Sequence, residues 1–125
     1  MKRIVVIIVF SLHNAYNCWF FLNFTNFPPV KLLYDVDDEK IGLVTTAGWL
    51  GILSTLPLVT ATTHHRSLLF FAGLLNTLPS ILRYSVSSTI TPNSFNLVVL
   101  SNFLVGAAFG IIGAWPAMLA SEWPP

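Results

Sequence analysis

The placement of charge constrains this chain more than any other feature. Its six Lys/Arg and five Asp/Glu are Lys2, Arg3, Lys31, Asp35, Asp37, Asp38, Glu39, Lys40, Arg66, Arg83 and Glu122. Long stretches without a charged side chain separate them, at residues 4–30, 41–65, 67–82 and 84–121. A helix needs roughly 20 apolar residues to cross ~30 Å of hydrocarbon, and these gaps match that length. The pattern predicts helices over about residues 4–24, 41–62, 67–86 and 95–121, which makes the chain an all-α membrane protein with four transmembrane helices. Composition agrees, with 54% hydrophobic and only 9% charged residues, where an average soluble domain carries about 25% charged. The mean hydropathy is +0.73. A net charge of +1 excludes a basic nucleic-acid binder and names no electrostatic partner. The single cysteine, Cys18, cannot close an intrachain disulfide.

The connections have turn chemistry. Asn26-Phe27-Pro28-Pro29 ends the first span, because neither proline continues the helix hydrogen-bond ladder. Residues 30–40 form an acidic link, and Asp37-Asp38-Glu39 ahead of Ile41 suits a helix N-terminus, where the macrodipole favours negative charge. Thr63-His64-His65-Arg66 reads as a short solvated turn, and residues 85–96 as a Ser/Thr/Asn/Pro-rich loop. Met1-Lys2-Arg3 and the apolar run behind it also look like a signal peptide, with Ala15 at the small-residue cleavage position. His13 two places earlier, and the apolar run resuming at residues 18–24, favour an uncleaved helix. The positive-inside rule gives no vote on orientation, since three Lys/Arg fall on each side; the basic start beside the first helix favours a cytoplasmic N-terminus.

Polar groups at membrane depth are costly unless they face protein or water. The first span carries His13, Asn14, Asn17 and Asn23, with Tyr16 and Trp19 on adjoining faces. This stripe either lines a polar cavity for a solute or hydrogen-bonds neighbouring helices. Asn23-Phe24-Thr25 matches the glycosylation triplet, yet sits at the membrane edge, where modification is not expected. Ala47, Gly51 and Thr55 at i, i+4, i+8, and Gly106, Gly110 and Ala114 at the same interval, make small-residue faces for close helix packing. Pro57, Pro79 and Pro116 interrupt the later spans. His64-His65 without a Cys, Asp or Glu close by is no convincing metal site, and residues 35–39 lack the glycine of a calcium loop. There is neither a nucleophile–base pair nor a glycine-rich phosphate loop. No enzyme, catalytic residue, metal or cofactor is expected.

The stretch Tyr16-Asn17-Cys18-Trp19-Phe20-Phe21-Leu22 resembles the first-helix pattern of the major facilitator superfamily transporters. The nearer likeness is to the branch of the feline leukemia virus subgroup C receptor-related proteins and the disrupted-in-renal-carcinoma protein. Phe20-Phe21 stands where that branch usually has Gly-Pro or Ala-Pro. Gly113-Ala114-Trp115-Pro116 through Trp123-Pro124 is similar to the end of the family's fourth helix, and Leu74-Leu75-Asn76 through Leu82-Arg83 to its third. The resemblance implies a twelve-helix fold in two halves, of which residues 1–125 would be part of the N-terminal half. It also implies cytoplasmic termini and transport of a small organic solute: a choline-like amine, haem or a vitamin-like cargo. It places Tyr16 against the cargo and favours Asn17 beside it, and the stripe of the first span adds Trp19 and His13 as candidate binding residues. Two other readings stand: a self-standing four-helix membrane assembly protein using the Gly51 and Gly106/Gly110 faces, and a three-span protein left after cleavage.

Overall fold

The computed structural model describes residues 2–22, 29–61, 65–87, 90–91 and 93–122. They form helices α1 (Lys2–Leu22), α2 (Pro29–Tyr34), α3 (Asp38–Ala61), α4 (His65–Ser87) and α5 (Phe95–Glu122). No strand occurs among the described residues. The Asn23-Phe24-Thr25 triplet, His64 and Trp123-Pro124 lie outside them.

The four long helices start and stop within three residues of the bounds expected from the charge gaps. Their ends have local causes. The Asp37 carboxylate accepts the Lys40 backbone N–H at 2.9 Å, capping α3, and Asp38 and Glu39 fill its first turn. At the start of α5, the Thr91 and Ser94 side chains and backbones exchange hydrogen bonds of 2.7–3.2 Å. The short α2 was not expected. Pro29 serves as its first residue, where a missing N–H does no harm, instead of only stopping the helix before it. Asp35 closes α2 in the left-handed region, φ 51°, and the Val36 N–H reaches back to the Lys31 carbonyl at 3.2 Å. Lys31 and Asp38 form an exposed ion pair between α2 and α3.

Helix α5 is the centre, with α3, α4 and α1 packed around it. Two apolar clusters build the interior. At one end Val30, Tyr34, Val36, Val44, Val86, Phe95 and Val98 close under α2, with the Tyr34 and Phe95 rings edge to face at 5.4 Å. At the other, Leu68, Ala72 and Leu75 of α4 meet Ala107, Ala108, Ile111 and Ile112 of α5.

The α3–α5 seam is backbone against backbone. A Cβ added at Gly106 would meet the Gly48 carbonyl carbon at 2.8 Å; one at Gly51 would meet the Ala107 nitrogen at 2.7 Å; one at Gly110 would meet the Ile52 carbonyl oxygen at 2.9 Å. Gly51, Gly106 and Gly110 lie at this seam. Gly48, rather than Ala47, provides the close approach on α3, and Ala47 and Ala114 are only half-buried. The two small-residue faces pack on each other within one chain, which leaves neither free for a second copy.

Among the described residues, two helices are long and apolar enough to cross a membrane, α3 and residues Phe95–Met118 of α5, where four were expected. Helix α4 spreads Asn76, Thr77, Ser80 and Arg83 along its length, and α1 sets His13, Asn14 and Asn17 at its middle. The chain buries 56% of the α5 span but only 22% of the α3 span. Leu43, Trp49, Leu50 and Leu53 of α3 are each at least half exposed, so this apolar face needs a partner other than the chain's own core.

Candidate functional site

Helices α1 and α4 each pack on α5 and meet one another through side chains. They run in the same direction, since His13 pairs with Asn76 and Tyr16, further along α1, with Ser80, further along α4. The space between them is a cleft of about 680 Å³ lined by polar His13, Tyr16, Asn76, Thr77 and Ser80 among apolar Leu69, Phe70, Leu74 and Ile81.

Two hydrogen bonds bridge it. Asn76 Nδ2 donates to His13 Nε2 at 2.8 Å, which leaves the imidazole proton on Nδ1. The Ser80 hydroxyl donates to the Asn76 carbonyl at 3.3 Å. Its oxygen also lies 2.7 Å from the Tyr16 hydroxyl, a bond in which either oxygen can donate. Asn76 is 5% exposed, and its Oδ1 has no hydrogen-bond partner among the described residues. Asn17 is fully buried with neither its Oδ1 nor its Nδ2 partnered among them. An unsatisfied buried amide carries a desolvation penalty of about 1–3 kcal/mol per group. The bridged pairs are met, whereas these buried amide atoms have no partner among the described residues.

The expected site residues therefore separate. His13 and Tyr16 line the cleft. Asn17 lies behind it, buried. Trp19 is 71% exposed and is not among the residues lining this cleft; at ~100° per residue it falls ~60° from Tyr16, on the side away from Asn17. Asn76, Thr77 and Ser80 were not singled out from the sequence. Asn76 is the one signal that was present, an amide in the middle of an apolar span.

A second polar cluster lies deeper. Arg83 Nε donates to Ser101 Oγ at 2.8 Å and Arg83 Nη2 to Asn102 Oδ1 at 2.9 Å. Asn102 Nδ2 then donates to the Val44 carbonyl at 2.8 Å. Helices α3, α4 and α5 are tied through one half-buried guanidinium and one fully buried amide. The Arg83 charge also reaches Tyr34 on α2: burial pushes the Tyr34 phenol above its usual 10.0, and Arg83 partly opposes this. No group of three or more metal-ligating side chains occurs among the described residues.

No family model, curated protein or solved structure matches this chain.

Proposed function

We propose that the chain is a multi-pass membrane protein that spans the bilayer four times, with its N-terminus in the cytoplasm. In this reading it contributes the α1–α4 cleft to a secondary transporter of a small organic amine. One observation carries the proposal: polar side chains from two helices converge on a cleft of about 680 Å³, inside a molecule whose outer surface is apolar. Soluble folds bury their apolar side chains. Here Ile4, Val9 and Leu12 of α1 and Phe70 and Ile81 of α4 are each more than half exposed, and lipid is the phase that suits them.

Among the cargo classes implied by the resemblance, the cleft suits an amine best. Haem would bring two carboxylates to a lining that includes no Lys or Arg. An amine offers a positive face to the Tyr16 ring, an attraction worth ~0.5–2 kcal/mol, and its N–H or O–H donors match the buried, unpartnered Asn76 acceptor at the cleft wall. Only the two bridging hydrogen bonds described above would have to break for α1 and α4 to move apart, as alternating access requires. The self-standing assembly reading has less support, since its small-residue faces are used within the chain.

The test is saturable binding of radiolabelled choline and ethanolamine to the protein in phosphatidylcholine nanodiscs. Tyr16→Ala is expected to weaken choline binding by about 2- to 30-fold, the range of one cation–π contact. The absence of saturable binding to the unaltered protein would overturn the proposal. Equal binding by Tyr16→Ala would remove Tyr16 from the site.

A further inference from the structure

The polar cleft does not end at His13. A second groove of about 500 Å³ continues from it, sharing His13, Leu69 and Phe70 and running on between Val5, Val9 and Phe10 of α1 and Ile112 and Trp115 of α5. Its lining is almost wholly apolar, His13 excepted. The two together form one trough, about 16 Å along α1 from Val5 to Tyr16 at the helical rise. One half has hydrogen-bond acceptors and the other has none.

A small amine alone fills only the polar half. The apolar half, open and walled by Val9 at 60% and Phe70 at 72% exposure, is then left to the acyl chains beside it, and a tail lying there takes the place of lipid. Apolar burial stabilises by about 0.8 kcal/mol per methylene, so a ligand that fills both halves gains much over one that fills the first. The division of the lining matches a molecule with a donor-bearing head and a single alkyl tail. The head meets Asn76, whose Oδ1 is buried and unpartnered among the described residues, while the tail lies along Val5, Val9 and Phe10. We infer that the trough binds a single-chain amphiphilic amine, an N-alkyl amino alcohol, rather than a free small amine. The inference rests on the cleft reading above and narrows it from amine to alkylated amine.

The experiment uses the protein in phosphatidylcholine nanodiscs and a photoactivatable N-decylethanolamine carrying a diazirine on its chain. Labelled peptides are read by mass spectrometry. The expected result is saturable labelling of the segments holding residues 5–13 and 69–81. Unlabelled N-decylethanolamine should compete at least tenfold better than N-hexylethanolamine, and the latter better than ethanolamine. Decanoate, which shares the chain but not the donors, should compete poorly. Val9→Trp, at an exposed position that tolerates bulk, fills the apolar half. It should abolish the chain-length gain, so that N-decylethanolamine competes no better than ethanolamine.

Equal competition by ethanolamine and N-decylethanolamine would overturn the inference and leave the small-amine reading standing. Competition by decanoate as strong as by the amine would overturn the assignment of the head to Asn76. Labelling that never saturates would show a groove filled by bulk lipid, and labelling blocked by self-association would show a second copy in the trough; either result overturns the inference. Failure of every amine, ethanolamine included, would remove the underlying cleft reading as well.

Discussion

Replacing Gly106 by alanine puts a methyl group into the α3–α5 seam, and the structure sets the size of the effect. The added carbon would lie 2.8 Å from the Gly48 carbonyl carbon and 3.0 Å from the Gly48 Cα. Carbon pairs settle at ~3.5–4.0 Å, so the helices must part locally by roughly 0.7 Å or more. Both neighbours are backbone, and no side chain can swing aside. A gap of that order forfeits about a quarter to a half of the dispersion energy of each contact along the seam. Overpacking of this kind costs ~1–3 kcal/mol, against which alanine regains ~0.8–1 kcal/mol of helix propensity. The net expectation is a destabilisation of up to about 2 kcal/mol. Gly113→Ala is the control: it lies on the same helix, nothing stands within 4 Å of its added carbon, and it should stabilise by up to ~1 kcal/mol. Titrating helicity against SDS in mixed micelles reads both. If Gly106→Ala unfolds no earlier than Gly113→Ala, the α3–α5 contact is not as described.

Three further outcomes follow from other contacts. Asn102→Ala removes both the acceptor for Arg83 Nη2 and the donor to Val44, and should destabilise by about 1–3 kcal/mol in the same titration, interhelical hydrogen bonds in membranes being worth ~1–2 kcal/mol at most. Asp37→Ala loses the cap on Lys40 and should cost about 1 kcal/mol, seen as faster amide exchange at the first turn of α3. Because the folded-state pKa of Tyr34 is raised from 10.0, its protonated form is the one the fold favours. The stability this contributes is complete below pH ~10 and is lost as pH rises through the higher folded value. Tyr34→Phe should flatten that alkaline decline, and phenolate absorbance should show Tyr34 ionising above free tyrosine.

Charge placement made most of the architecture legible, because a charged side chain in hydrocarbon is costly enough to mark a helix end wherever it occurs. Arg83 shows the limit of that logic. It ends an uncharged gap in the sequence, yet α4 continues to Ser87, since Ser101 and Asn102 receive the guanidinium inside the fold. Pro28-Pro29 was readable as a stop but not as a start, so α2 was missed. Small-residue spacing identified the α3 and α5 faces while placing the α3 contact one residue away, at Ala47 instead of Gly48. The cleft was half legible. His13 and Tyr16 carry a polar signal in an apolar span, but their partners lie more than sixty residues on, and only the shared packing of α1 and α4 on α5 brings them opposite. The unmet acceptor of Asn76 has no signature in the sequence, because it depends on which of its two polar atoms His13 engages.

Thiol accessibility tests the central claim most directly. In a Cys18→Ser background, Thr77→Cys reports on the cleft and Leu53→Cys on the outer face of α3, where Leu53 is 59% exposed. The protein in a bilayer is treated with a charged, water-soluble thiol reagent, with and without saturating ethanolamine. A watered amine cleft inside a lipid-facing fold predicts that Thr77→Cys reacts, that ethanolamine slows it, and that Leu53→Cys stays unmodified. Equal reaction at both positions, indifferent to ethanolamine, would contradict both the membrane placement and the cleft.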